Sequence, residues 1–150
     1  PTLRGSYDAP GAAPGQGKSI YTVGDTLYFG RYYTSNASEF ATLSTAASAP
    51  TLLGSRDIGT TVNTVGVYGT LVRDHMAFLL TGNKTGATSK LERYDIGNTA
   101  APAPIGSALS LVTAGEPRGL DCESNFIYAA SVPTSGGSLN KGSFFIITAP

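Results

Sequence analysis

The sequence predicts an all-β protein: a β-propeller-like arrangement of three four-stranded blades. Three observations lead there. Short β-branched and aromatic runs alternate with turn residues, and 19 Gly and 9 Pro are spread through 150 residues, which leaves few windows for three helical turns. One phrase recurs. Pro1-Thr2-Leu3-Arg4-Gly5-Ser6-Tyr7-Asp8 matches Pro50-Thr51-Leu52-Leu53-Gly54-Ser55-Arg56-Asp57 at six of eight positions, 49 residues apart. Pro102-Ala103-Pro104-Ile105-Gly106-Ser107 is a weaker third copy, 52 residues further on. Lastly, each copy is followed by a loop and then by strand, turn and strand, and a period near 50 with four strands per unit marks propeller blades.

The elements follow in order. In the first unit, Ser19 to Val23 forms a strand, Gly24-Asp25 a turn, and Thr26 to Phe29 the return strand. In the second, Val62 to Tyr68 is followed by a longer turn carrying Arg73-Asp74-His75, then Met76 to Leu80. In the third, Arg118 to Cys122 leads through Glu123-Ser124-Asn125 into Phe126 to Ala130. A polar loop and a further strand close each unit: Glu39 to Leu43, Leu91 to Ile96, and Ser143 to Ile147. The one stretch that could compete as helix, Glu39 to Ser48, has no apolar face at helical spacing. The chain reads as a single repeat domain with units of about 1–49, 50–101 and 102–150.

Blades fit better than a sandwich. Leu27-Tyr28-Phe29, Phe78-Leu79-Leu80 and Phe144-Phe145-Ile146-Ile147 are apolar on both faces, whereas a sandwich strand shows one face to water and alternates. The repeat is also permuted. The chain starts with the strand that elsewhere ends a unit, so Leu3, Gly5 and Tyr7 are expected beside Phe144, Phe145, Ile146 and Ile147, closing the last blade and removing two exposed edges. Three blades are fewer than the usual four to eight. Two chains in a six-bladed ring, a part of a larger propeller, and three blades in an open packing all remain open. A homo-oligomer or filament subunit is the expected partner state.

Composition excludes several functions. Ten basic and ten acidic residues give zero formal net charge, with no run of either sign. That argues against nucleic acid and against an anionic membrane surface. No stretch approaches the roughly 18 apolar residues of a membrane span, so no membrane contact is expected of this segment. Charged residues make up 13%, and the polar character comes from Ser, Thr, Asn and Gly, which suits an extracellular or cell-surface location. A chain that begins in mid-motif is expected to be a processed product or a piece of something longer. Cys122 is the single cysteine and is expected to be a small half-buried hydrophobe.

The residues carry no catalytic or metal set. Ala12 to Ser19 loosely fits a phosphate-binding loop, but strand rather than helix follows it, so phosphate would find no helix N-terminus. His75, the only histidine, reads as a polar turn residue; no Gly-x-Ser-x-Gly elbow accompanies it. One His and one Cys make no usual zinc site, and no Asp-x-Asp-x-Asn run exists for calcium. No catalytic residue, metal or cofactor is therefore expected. The acidic residues are scattered singly, which leaves a propeller glycoside hydrolase as the weakest reading. Arg31-Tyr32-Tyr33 with Asn36 is the most suggestive local feature. Aromatic rings beside Arg and Asn suit sugars and other flat polar ligands, so a glycan or surface ligand is expected there. Asn36 and Asn83 head glycosylation sequons.

The junction Tyr94-Asp95-Ile96-Gly97-Asn98-Thr99-Ala100-Ala101-Pro102-Ala103-Pro104-Ile105-Gly106-Ser107 resembles that of the LVIVD-repeat propellers. Leu91, Asp95, Asn98, Pro102, Gly106 and Ser107 fall on that pattern; Gly97 and Thr99 depart from it. Gly-Asp-Thr-Leu-Tyr-Phe-Gly-Arg followed by Leu-Gly-Ser-Arg-Asp-Ile-Gly-Thr-Thr-Val-Asn is similar to C-terminal domains of some bacterial pilin-like surface proteins. The resemblance implies a propeller fold in a secreted or surface-displayed, non-catalytic domain; with the repeats, the missing catalytic set and the low charge, the expected function is self-assembly into a filament or surface appendage, or adhesion.

Overall fold

The computed structural model describes residues 2–3, 5–8, 15–32, 38–59, 65–83, 89–111, 115–133 and 142–149. Among these there are twelve strands and no helix, and every strand pairing is antiparallel. The strands group into three meanders. Unit 1 contains β1 (Gln16–Val23), β2 (Thr26–Tyr32), β3 (Phe40–Ser44) and β4 (Thr51–Arg56). Unit 2 contains β5 (Gly66–Arg73), β6 (Met76–Gly82), β7 (Ser89–Asp95), and the short β8 (Ala103–Pro104) and β9 (Leu109–Leu111), both paired with β7. Unit 3 contains β10 (Gly115–Glu123), β11 (Phe126–Pro133) and β12 (Ser143–Thr148).

The first three strands of each unit are equivalent, whereas the fourth spans six residues in unit 1, two in unit 2, and is missing from the described residues of unit 3. Ile20 pairs with Phe29, Thr70 with Leu79 and Leu120 with Ala129, each register shifted by 50. The register slips between Gly17 and Ser19, between Val67 and Gly69, and between Pro117 and Gly119, so Lys18, Tyr68 and Arg118 occupy the same bulge. A bulge sharpens the local twist and re-aims its side chain. Each first hairpin turns in two residues: Gly24-Asp25, Asp74-His75 and Ser124-Asn125. The longer turns expected for the second and third units are absent because Arg73 and Glu123 belong to strands, paired with Met76 and Phe126. The first turn residue has positive φ in all three units: 55° at Gly24, 54° at Asp74 and 51° at Ser124. Such tight turns match strand twist but favour Gly, then Asn or Asp. The second turn residue's carbonyl accepts an N–H from just beyond the third strand each time: Asp25 from Thr45, His75 from Ile96, and Asn125 from Ala149.

The units stack face on face, with unit 2 in the middle. Tyr28 and Phe40 of unit 1 meet Val67, Val72, Ala77, Leu79, Tyr94 and Ile96 of unit 2. On the other side of unit 2, Leu71, Phe78 and Leu91 pack on Ile127, and Leu80 packs on Ala129. Both faces of β5 and β6 are therefore covered. Phe78, Leu79 and Leu80 are all at most 1% exposed, as a strand apolar on both faces requires. Cys122 is half-buried against the second junction. The same step of 51 residues joins both junctions. Ser19 and Thr70 hydroxyls hydrogen-bond at 2.8 Å, and Arg73 donates to the Ser124 carbonyl. A Cβ at Gly69 would lie 2.6 Å from the Leu120 Cβ. One main-chain bridge, Tyr32 to Gly66, also ties β2 to β5.

The expected closure is not formed. Among the described residues, β12 pairs with β11 alone and its outer edge is open. Leu3 is 85% exposed, Gly5 abuts Ser48 and Ala49 of unit 1, and Tyr7 lies near Arg31. Leu3, Gly5 and Tyr7 thus sit apart from Phe144, Phe145, Ile146 and Ile147. The physical reason lies in the stack: unit 2 stands between unit 1, which carries the N-terminal segment, and unit 3. The β12 burial pattern alternates accordingly, with Phe145 and Ile147 half-buried and Phe144 and Ile146 each 65% exposed.

Candidate functional site

The equivalent bulges bring chemistry together at one end of the stack. The rungs Gln16–Tyr32, Gly66–Gly82 and Glu116–Val132 are equivalent and lie at or next to the strand ends, so all three units present the same end here. Tyr32 and Tyr68 rings lie 5.7 Å apart, tilted by 48°. The Lys18 ammonium stands 5.9 Å from the Tyr32 ring and 5.6 Å from the Tyr68 ring, within range for attraction to both π faces. Glu116 and Arg118, two residues apart in β10, form an ion pair at 2.8 Å. Lys18, Tyr68 and Arg118 come from the three bulges, one per unit.

Tyr68 is the buried member. It is 4% exposed, and among the described residues its hydroxyl makes no hydrogen bond of ordinary geometry, with the Glu116 carboxylate the group that acts on it. Burial, and next the Glu116 charge, push that hydroxyl above its ordinary value, because ionisation would put a second negative charge in a dry site. The cluster therefore offers the half-buried Tyr32 ring, backed by Tyr68, with a cation beside it and a rim ion pair. Such a set can stack and hydrogen-bond a flat or sugar-like ligand; it contains no nucleophile paired with a base.

The predicted binding quartet divides. Tyr32 joins the cluster. Arg31, adjacent in the strand, points to the opposite face, is 5% exposed and donates from Nε to the Ser38 carbonyl at 2.6 Å. Burial lowers its guanidinium from the ordinary value, with Tyr7 and Glu39 pulling the other way. Glu39, 6% exposed, accepts N–H bonds from Ile58 at 2.8 Å and Gly59 at 3.4 Å. Desolvation raises its carboxyl, opposed by those N–H donors and assisted by Asp57. Arg31 and Glu39 thus pin the ends of β3 and β4 and are scaffold rather than ligand surface. Tyr33 and Asn36 lie outside the described residues. Asn83 is half-buried just past β6 at the same end, and the other sequon positions, 84 and 85, lie outside the described residues.

Sequence reasoning missed Lys18, Tyr68, Glu116 and Arg118. The signal lies in the 50-residue spacing of 18, 68 and 118, which the recurring Pro-Thr-Leu phrase, at spacings of 49 and 52, obscures. His75 and Asp74 form an exposed turn at the far end. Among the described residues, no three His, Cys, Asp or Glu side chains group as metal ligands. No helix of the described residues is long and apolar enough to cross a membrane. Comparison with protein-family models, curated proteins and solved structures gives no match.

Proposed function

We propose that the chain is a non-catalytic, β-propeller-like module of an extracellular or cell-surface appendage, acting by self-assembly or adhesion. The observation that carries this reading is the uncovered apolar face of unit 3. Phe126, Val132, Phe144 and Ile146 are 44%, 36%, 65% and 65% exposed on one sheet face, and Tyr128 stacks on Phe144 with ring centroids 5.8 Å apart. A contiguous apolar patch on a sheet is kept for a partner or becomes an aggregation liability. The resemblance to LVIVD-repeat propellers and pilin-like surface domains points the same way. Sedimentation across a wide concentration range tests it. A particle heavier than 15.4 kDa is expected, and a lone 15.4 kDa species at every concentration refutes self-assembly.

A second reading, carbohydrate binding, draws on the Lys18–Tyr32–Tyr68 cluster. A glycan array with wild type and Tyr32→Ala tests it: loss of a signal in the variant supports the reading, and equal binding retires it.

A further inference from the structure

The faces that stack inside the chain are copies of the faces left open at its two ends. In unit 2, Gly69, Met76, Phe78, Leu80 and Leu91 face unit 3. Their register equivalents in unit 3 are Gly119, Phe126, Tyr128, Ala130 and Phe144. The contrast in covering is plain: Leu91 is 5% exposed and Phe144 is 65% exposed. Gly69 shows it again, since a Cβ there meets Leu120 at 2.6 Å, whereas a Cβ at Gly119 meets nothing within 4 Å. At the other end, Leu120, Cys122, Ile127 and Ala129 of unit 3 face unit 2. Their equivalents in unit 1 are Ile20, Thr22, Leu27 and Phe29, and Ile20 is 67% exposed. Unit 3 thus ends in the face that receives a unit, and unit 1 begins with the face that is received.

We infer that the open face of unit 3 docks the open face of unit 1 of a second copy of this chain, head to tail, by the step that already joins the units within the chain. The occupant follows from that step. Ser19 meets Thr70 and Gly69 meets Leu120, each 51 positions on, so the continuation seats Ile20 of the second copy on Gly119. Two surfaces of different residues meet, which makes the contact heterologous; such contacts close into rings or run on as filaments. Strand bookkeeping agrees. The Pro50 copy of the recurring phrase pairs with β3 through β4, and the Pro102 copy pairs with β7 through β8. Each copy completes the unit before the one it leads into. The step therefore brings the second copy's Leu3 segment to the unpaired edge of β12, by strand addition.

This inference rests on the self-assembly reading, and trapping in a Cys122→Ser background separates the two. Gly119→Cys and Ile20→Cys are made singly and together, and oxidised at a protein concentration where sedimentation shows assembly. Disulfide geometry needs Cβ atoms about 3.5–4.5 Å apart, which the Gly69–Leu120 contact allows after slight relaxation. The expected result is no cross-link in either single variant, one cross-linked pair when the two are mixed, and closed dimers or a ladder from the double variant. A cross-linked dimer of Gly119→Cys alone would mean that like faces meet and would overturn the head-to-tail docking. So would an assembled particle without a 119–20 bond, which leaves self-assembly standing. A 15.4 kDa species at all concentrations would overturn both. Phe144→Arg, outside the core, serves as the second arm. It should keep the cooperative melt of the single chain while weakening association at least tenfold; unchanged association would overturn the docking.

Discussion

Adding one methyl group at two equivalent positions should have opposite effects. Gly69 and Gly119 share a register 50 residues apart, each opposite the same rung of its hairpin. A Cβ at Gly69 would lie 2.6 Å from the Leu120 Cβ and 3.2 Å from the Leu80 Cβ. Carbon atoms prefer about 3.5–4.0 Å, so unit 3 must back away from unit 2 by roughly an ångström or the strand must bend. Overpacking of this kind costs about 1–3 kcal/mol. The neighbours cannot simply collapse around the change, because Leu80 is 1% exposed. At Gly119 the new Cβ meets nothing within 4 Å, and φ is not in the left-handed region. Alanine there restricts only the unfolded chain and should stabilise by about 0.4–1 kcal/mol. Thermal melts at a concentration where sedimentation shows a monomer provide the assay. For a chain of this size each kcal/mol moves Tm by about 2–4 °C, so Gly69→Ala should fall several degrees below Gly119→Ala. Equal Tm values, or Gly119→Ala as the less stable variant, would refute the stacking of unit 3 on unit 2.

Three further outcomes are expected. Tyr68→Phe removes a buried hydroxyl that makes no hydrogen bond of ordinary geometry among the described residues and should stabilise the fold by about 1–2 kcal/mol in denaturant melts; a loss of stability would show that the hydroxyl is satisfied, with Glu116 as its partner. Glu39 is held above the ordinary carboxylate range by burial, so the fold binds its proton more tightly than the unfolded chain does. Stability from this group is then full below the unfolded value and falls as pH rises through the folded one. Glu39→Gln should flatten that part of the pH profile, and an unchanged slope counts against the assignment. Leu79→Ala empties a fully buried position between units 1 and 2 and should cost about 3–5 kcal/mol, read by chemical denaturation; a loss under 1 kcal/mol would mean that the junction is not packed.

Much of the strand order was legible in the sequence, because turn chemistry is local. Gly24-Asp25, the hydrophobic runs after each turn and the 50-residue rhythm all report backbone preferences that a few residues suffice to set. Strand ends were less legible. Val62 to Tyr68 reads as the natural apolar run; residues 62–64 lie outside the described residues, and β5, Gly66–Arg73, runs on past Tyr68 because Thr70 and Arg73 pair with Leu79 and Met76, while their side chains meet Ser19 and Ser124 of neighbouring units. Those partners are 51 residues away, beyond any local pattern. The same holds for the candidate site. Arg31 and Tyr32 are neighbours in sequence but lie on opposite faces of one strand, as the two-residue period demands. Tyr32 finds Tyr68 and Lys18 only because the bulges of two units line up. The N-terminal segment keeps its repeat position, with Gly5 against Ser48 and Ala49 as Gly54 is against Thr99 and Ala100, but that position adjoins unit 1 and not the β12 edge of the same chain.

Ser19 and Thr70 offer the most direct test of the stacked repeat. Their hydroxyls are 2.8 Å apart across the junction of units 1 and 2, and nothing in the sequence between them forces them to meet. In a Cys122→Ser background, Ser19→Cys with Thr70→Cys should oxidise fully to one intramolecular disulfide, found by peptide mass mapping, with a raised Tm. Two free thiols after oxidation of the folded monomer, or bonds only between chains, would contradict the arrangement of units described above.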